Sequence, residues 1–343
     1  MIQPHLDTVN EAAAWIGPEL RDRMDWILHL NDIELKEIDD ALENIKAKNI
    51  SIPFLKSDFL LPTLSKKITS LYDILENGLG FSLVRGIPRD KYSNEECEII
   101  YWGIGIHLGT PVSQNTRGHL LGHVTDEGRK ISDPNTRMYQ TKLRMDFHTD
   151  QLPVDVVGLF CQRNAKKGGA SYLVSALAVH NVLLKERPDL IEVLHQPFNL
   201  DWRGENADNE QPWYTCPMYS YYDNKLSARL TSRAFFESVV RHGEHLALSD
   251  IQREALDVVQ EISERESLRF SMGFTEGDIQ FINNHQILHA REDYEDYEET
   301  HLKRHLLRMW ISFPQEHRRN LSPELQERYS YVERGGIAKK EVA

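Results

Sequence analysis

Apolar residues in the first hundred positions recur at helical spacing. Leu35, Ile38, Leu42 and Ile45 follow Asp32 every three or four residues, and Leu64, Ile68, Leu71 and Leu75 repeat the pattern before Asn77-Gly78 ends it. The rhythm then shortens. Gly80-Phe81-Ser82-Leu83-Val84-Arg85-Gly86-Ile87-Pro88 reads as a strand closed by glycine and proline. Ser93 with Glu96 gives a capping-box signal and predicts a helix running towards Leu108.

From about residue 110 to 175 the pattern is one of strands and loops, punctuated at Arg117-Gly118-His119 and Ser132-Asp133-Pro134-Asn135. Within it, Val154-Asp155-Val156-Val157-Gly158-Leu159-Phe160 is a β-rich run of the buried type. A helical interlude follows near Ala176 to Leu194. The stretch from Gln196 to Arg233, with Pro197, Pro212, Pro217 and many aromatics, reads as an insertion of loops and short strands. It is a candidate lid or substrate wall, or else a cover for a sheet edge. Ser249 with Gln252 caps an amphipathic helix through about Glu264, and two strands close the pattern, Gly277 to Ile282 and Leu306 to Phe313.

These signals predict an α+β chain in three parts: an N-terminal helical extension (1–60), a catalytic-size unit (61–313, with the 196–233 insertion) and a polar C-terminal tail (314–343). Strand signals split by helical inserts suggest a jelly-roll core with flanking helices, an architecture that can hold a metal between its sheets. No internal repeat is present.

Composition narrows the partners. The chain has 343 residues, is 40% hydrophobic and 27% charged, and carries a net charge of -13. That charge opposes nucleic-acid or anionic-membrane binding, which need a positive surface, and leaves a small molecule as the expected partner, with self-association open. Cys97, Cys161 and Cys216 are widely spaced, which excludes a disulfide framework and a four-cysteine zinc site. No secretory pattern and no uninterrupted apolar span of membrane length occurs, so the expected location is the cytoplasm.

The candidate chemistry lies in three separated pieces: His148-Thr149-Asp150, a histidine near residue 289, and Arg304. Two imidazoles and one carboxylate on one face of Fe(II) leave the opposite face open for a bidentate cosubstrate and O2. Residues two apart on a strand project to the same side, so His148 and Asp150 can reach one ion. The triplet alone says little, because composition predicts about 2 His-x-acid triplets by chance. His5-Leu6-Asp7 and His242-Gly243-Glu244 are also present. His148 is distinguished by its place before the buried run at 154–160. For the third ligand, His285 and His289 both follow the strand end at Asn283-Asn284, and either can turn inward.

In the last strand Arg304, Leu306, Arg308, Trp310 and Ser312 share one face, while His305, Leu307, Met309, Ile311 and Phe313 share the other. The second set is apolar enough to pack on a core, so the arginines point into the opposite space. A buried arginine is costly unless it meets an anion, and its fork matches a carboxylate bidentately. Arg304 therefore suits the distal carboxylate of 2-oxoglutarate, or a structural ion pair. Gly168-Gly169-Ala170-Ser171 is a turn by itself, with a hydroxyl that could reach the same carboxylate.

Taken in order, Gly80-Phe81 with Arg85-Gly86, Leu108-Gly109-Thr110-Pro111, His148-Thr149-Asp150, Gly168-Gly169-Ala170-Ser171, Gly277-Asp278, Asn283-Asn284, His289 and Arg304 with Arg308 resemble the taurine dioxygenase family of Fe(II)/2-oxoglutarate oxygenases, over roughly residues 60 to 313. The resemblance implies a double-stranded β-helix and His148, Asp150 and His289 as iron ligands. It also implies Arg304 as the main 2-oxoglutarate anchor, Ser171 where the family usually has threonine, and Arg308 as a second arginine facing substrate or cosubstrate. The retained carboxylate at Asp150 implies hydroxylation over halogenation. The acidic stretch Glu292 to Glu299 and the 196–233 insertion depart from the family pattern, which puts taurine itself in doubt as the substrate.

The reading is thus a 2-oxoglutarate-dependent dioxygenase that uses Fe(II) and O2 to hydroxylate an aliphatic C–H of a small polar or anionic substrate, releasing succinate and CO2. Desaturation, epoxidation or cyclisation would need the same residues. Arg203 and Arg229 in the insertion, and Gln114 and Asn115, are further candidates for the pocket. Rival readings are a zinc hydrolase on the same three ligands and a metal-free jelly-roll binding protein; neither explains inward arginines beside three matched ligands.

Overall fold

The apolar run at 154–160 forms the centre of the larger of two facing sheets. In the computed structural model, which describes residues 3–130, 136–152, 154–326 and 336–340, the strand Val156–Arg163 pairs antiparallel with Ile279–Asn283 on one side and His305–Ser312 on the other. The sheet extends through Phe81–Arg85 to Ile27–His29 at one edge, the last pairing being parallel. At the other edge Thr110–Val112 and Leu121–Val124 both pair with His305–Ser312. The smaller sheet has the order Phe270–Met272, Ser171–Ser175, Ile287–Arg291, Met145–His148, all antiparallel. From residue 145 onward the chain passes back and forth between the two sheets, which is the double-stranded β-helix.

Alternation along the strands gives each sheet two buried faces. Phe81, Leu83 and Ile282 of the larger sheet meet Leu173, Phe270, Met272 and Ile287 of the smaller one between the layers. On the outer face Phe160, Phe281, Leu307, Met309 and Ile311 pack beneath the helix Asn94–Leu108. Ser93 caps that helix by accepting from the Glu96 N–H at 3.2 Å, and the Glu96 carboxylate accepts the Ser93 N–H at 2.9 Å, as the capping-box signal predicts. Fully buried side chains of this size each contribute on the order of 1.5–3 kcal/mol, so this helix holds the central strands in place.

The helical interlude is two helices, Ala176–Glu186 and Pro188–Leu194, because Arg187 precedes a proline and leaves the helical region at φ -142°. With the helix Asp250–Glu264 they cover the smaller sheet. The 196–233 insertion contains two hairpins, Pro197–Asp201 with Trp213–Pro217 and Tyr219–Tyr222 with Lys225–Ala228, and Phe198, Met218, Tyr219 and Leu226 in it are fully buried. The N-terminal region supplies the helix Asp32–Ala47, and also the edge strand Ile27–His29, which the apolar spacing does not foreshadow. Past residue 313, Leu321, Leu325 and Ile337 are buried, and the Ile337 and Lys340 N–H groups donate to Ser113 and Thr116 carbonyls at 2.9 Å. The polar cluster Ser132-Asp133-Pro134-Asn135 lies outside the described residues, as do 327–335 and 341–343 of the tail. No helix among the described residues is long and apolar enough to cross a membrane.

Candidate active site

The sheet register brings the two histidines together. His148 ends its strand directly opposite His289 on Ile287–Arg291, and the two rings lie 4.3 Å apart between centroids. Asp150 sits two residues past the strand end, so strand alternation does not place it; a side-chain clamp does. The Asp150 N–H donates to Asn284 Oδ1 at 2.8 Å, and Asn284 Nδ2 donates to the carbonyls of Asp150 at 3.3 Å and Leu152 at 2.9 Å. Thr149 is fixed by its own N–H to the Leu230 carbonyl at 2.9 Å, a contact from the insertion. Asn284 is legible in the sequence only as a strand-end residue.

The three side chains offer donor atoms within 4.8 Å of one another. Asp150 Oδ1 lies 3.9 Å from His148 Nε2 and 3.6 Å from His289 Nε2, too far for hydrogen bonds and close enough to surround one ion. Asp150 Oδ2 is otherwise engaged. It accepts the Trp310 indole N–H and lies 3.2 Å from Arg308 Nη1, so the carboxylate presents one oxygen to a metal. His148 Nδ1 donates to the Asp146 carbonyl at 2.8 Å, leaving the Nε2 lone pair directed inward.

Protonation states also fit a cation. Burial pushes His148 down, and burial together with the neighbouring His148 pushes His289 down to about 3, so both imidazoles are neutral. Burial opposes ionisation of Asp150, but the Arg308 guanidinium and the Trp310 N–H help to hold the carboxyl below its usual range. Neutral imidazoles and an ionised carboxylate are the donor states that Fe(II) requires. His285, the rival third ligand, is buried elsewhere. Its Nε2 lies 3.2 Å from Asp155 Oδ1 and its Nδ1 2.7 Å from Arg229 Nη2, so His285 and Arg229 belong to a structural network behind the site.

Two chambers adjoin the triad. The first is lined by His148, Asp150 and His289 together with Ser171, Arg291, Arg304 and Arg308. Arg304 is 3% exposed; its guanidinium lies over the Tyr294 ring at 5.3 Å, and its Nη1 is buried without a hydrogen-bond partner. Its backbone N–H donates to Asp296 Oδ1 at 2.8 Å, so the acidic stretch that departs from the family pattern anchors the start of this strand. Gly169, at φ +74°, passes beside it: a Cβ there would come 3.3 Å from Arg304 Nε, closer than the guanidinium tolerates without moving. Arg291, which sequence reasoning passed over, occupies the same end. Burial and the nearby Arg304 push its pKa down to about 10.

The second chamber opens on the other side of the triad and is lined by Gln114, Arg137, Tyr139, Arg203, Phe235 and Trp310 as well as His148 and Asp150. Arg308 borders both chambers, its Nε donating to Gln114 Oε1 at 2.7 Å. Of the four further candidates, Gln114 and Arg203 line this chamber, Arg229 does not, and Asn115 shapes the turn by accepting the Arg117 N–H at 3.0 Å. Tyr139 and Arg137 carry no signal in a single sequence beyond their residue types, and Trp310 is marked only by the strand face it shares with Arg304 and Arg308.

Two imidazoles, one monodentate carboxylate and a neighbouring cationic chamber between the layers of a double-stranded β-helix define the chain as a non-heme Fe(II)/2-oxoglutarate dioxygenase. It belongs to the taurine catabolism dioxygenase TauD, TfdA family, whose profile matches residues 40–310. It is 30% identical over 309 residues to FR-33289 synthase of Streptomyces rubellomurinus, covering 89% of this chain and 90% of that one. It is also 30% identical over 312 residues to the taurine hydroxylase-like protein SAT17 of Stachybotrys chartarum, covering 88% and 79%. Among solved structures, asparagine oxygenase in complex with Fe(II), 3-hydroxyasparagine and succinate has the same fold at TM-score 0.64 and 13% identity, covering 84% of this chain and 93% of that one. The oxygenase OrfP in complex with Fe and alpha-ketoglutaric acid matches at TM-score 0.59 and 17% identity, covering 84% and 95%.

Proposed function

We propose that this enzyme hydroxylates an aliphatic C–H of a small polar or anionic molecule, with Arg304 as the main anchor of 2-oxoglutarate. The observation that carries the reading is the Arg304 guanidinium, buried with a free Nη1 in a chamber that all three metal ligands line. A desolvated guanidinium facing a cavity calls for an anion, and the bidentate match is a carboxylate. Arg291 and Ser171 lie opposite each other on paired strands at the same chamber and complete its polar end. When bound, Fe(II) with 2-oxoglutarate supplies the O2-dependent oxidation, coupled to decarboxylation of the cosubstrate to succinate and CO2.

The protein's own part is positioning and exclusion of water. Trp310 and Arg308 hold Asp150 Oδ2 and keep Oδ1 turned to the histidines. The cosubstrate chamber and the second chamber meet at Arg308, so a substrate in the latter lies next to the metal without displacing the cosubstrate. The asparagine oxygenase structure holds 3-hydroxyasparagine and an OrfP complex holds (3S)-hydroxy-L-Arg, each with succinate, which supports a substrate of similar size and hydroxylation as the outcome.

The test is turnover of 2-oxoglutarate by the Fe(II)-loaded enzyme against a panel of amino acids, sulfonates, phosphonates and other small acids, with product masses read out. Stimulated succinate release and a product heavier by one oxygen are expected. Product lighter by two hydrogens would replace hydroxylation with desaturation, and substrate hydrolysis independent of 2-oxoglutarate would overturn the oxygenase reading.

A further inference from the structure

The guanidinium of Arg291 is only partly engaged. Arg291 ends the strand that carries His289 and is 6% exposed. Its Nη2 donates to the Thr141 carbonyl at 2.8 Å and to the Leu143 carbonyl, while its Nε and Nη1 are buried with no hydrogen-bond partner. The carbonyl in between, that of Lys142, accepts the Tyr294 N–H at 3.1 Å, so the 291–294 segment holds three consecutive peptide oxygens. Thr141 carries the constraint onward. Its Oγ1 and its N–H donate to the Met138 carbonyl at 2.9 and 3.1 Å, closing the turn Met138–Gln140. Tyr139 in that turn lines both chambers, and the Arg308 guanidinium lies 4.9 Å from its ring centroid.

The unengaged part of Arg291 belongs to the cosubstrate chamber, which it lines with Arg304 and Ser171. The Arg291 and Arg304 guanidiniums lie over one ring, 4.8 and 5.3 Å from the Tyr294 centroid. Asp126 and Asp296 act on them through space, and neither bonds to a guanidinium: Asp126 Oδ2 is 3.9 Å from Lys303 Nζ, and Asp296 Oδ1 accepts the Arg304 backbone N–H at 2.8 Å. Buried guanidinium donors without an acceptor are costly, and a carboxylate is their matched partner. An arginine held at one nitrogen can pivot on its long side chain; held at all three, its planar fork has one orientation.

We infer that Arg291 is a second contact for the distal carboxylate of 2-oxoglutarate and a positioning residue for the substrate wall. The carboxylate fills its free donors, and the guanidinium so fixed holds Thr141 to Leu143 and thereby Tyr139, where the two chambers meet. The inference rests on the oxygenase reading above and goes further by assigning the residue through which cosubstrate occupancy reaches the substrate chamber.

The test compares 2-oxoglutarate with 2-oxopentanoate, which keeps the keto-acid end and the chain length but has a methyl group for the distal carboxylate, on Fe(II)-loaded protein without oxygen. Hydrogen exchange reads the loop. In the wild type, saturating 2-oxoglutarate should slow exchange at the Gln140, Thr141 and Leu143 amides, which are bonded within the loop, by about tenfold or more, and saturating 2-oxopentanoate should not. Calorimetry reads the contact: Arg291→Met should weaken 2-oxoglutarate about tenfold or more and leave 2-oxopentanoate within about twofold. A purely structural arginine would weaken both acids alike. Equal slowing by the two acids, no slowing by 2-oxoglutarate, equal losses of the two acids in Arg291→Met, or unchanged 2-oxoglutarate affinity in that variant would each overturn the assignment. Should Arg291→Met not fold, the two acids on the wild type decide alone. Protein that takes up Fe(II) and 2-oxoglutarate but shows one of these results sinks the role of Arg291, whereas failure to take up either sinks the oxygenase reading.

Discussion

Arg304→Met separates a ligand-binding arginine from a structural one. Arg304 is 3% exposed, no protein group hydrogen-bonds its Nη1, and burial pushes its pKa down. Removing a desolvated charge that lacks a carboxylate relieves a penalty, so the cosubstrate-free variant should be at least as stable as the wild type, by about 1 kcal/mol in its favour. With 2-oxoglutarate the sign reverses. A bidentate, charge-assisted pair in a buried site is worth about 3 kcal/mol, which is roughly 150-fold in the dissociation constant. Urea unfolding without cosubstrate and anaerobic calorimetry with Fe(II) and 2-oxoglutarate measure the two halves. Loss of more than about 2 kcal/mol of stability before cosubstrate is added would mark a broken structural ion pair. An unchanged dissociation constant would move the anchor to Arg291 or Arg308.

Three further perturbations probe the supports. Trp310→Phe removes the N–H donor to Asp150 Oδ2, and should weaken Fe(II) binding about 10- to 100-fold with little change in fold, as seen by metal titration and circular dichroism. Asn284→Ala deletes the clamp on Asp150 and Leu152 and leaves buried backbone groups unpaired; a loss of about 2–3 kcal/mol in urea unfolding is expected, and a loss below about 0.5 kcal/mol would show that the strand end holds Asp150 unaided. Away from the metal, burial together with His195 and His5 lowers the pKa of His180 to about 4, against about 6.5 when unfolded. The unfolded chain then binds the proton first, so stability is full above pH 6.5 and falls as pH drops towards 4, by about 2 kcal/mol between pH 8 and pH 5. His180→Phe should lose that part of the slope, and an identical slope in the variant would assign the effect to other groups.

Much of the scaffold is written in local pattern. Capping boxes at Ser93 and Ser249 begin the helices Asn94–Leu108 and Asp250–Glu264, because the residues that satisfy the first N–H groups are adjacent in sequence. Alternation along 304–313 separates the apolar face, which packs beneath Asn94–Leu108, from the face that carries Arg304, Arg308 and Trp310 into the chambers. His148 and Asp150 are likewise legible as metal donors, since metal chemistry restricts residue types and spacing, while the third histidine is singled out only by the family resemblance.

What the residues alone left open depends on pairings between distant segments. His289 rather than His285 joins His148 and Asp150 because the strand register sets it opposite His148, while Asp155 and Arg229 take up His285. Asp150 is placed by Asn284 rather than by strand periodicity, and its single free oxygen is defined by Trp310 and Arg308 from the opposite sheet. Arg137 and Arg203 become one feature only where the 136–140 loop meets the insertion over Phe235. Spacing along a chain determines helix faces, strand faces and ligand types because those interactions are local. Which guanidinium is left without a counter-ion is decided only when every charge has a position, and that is a property of the folded structure.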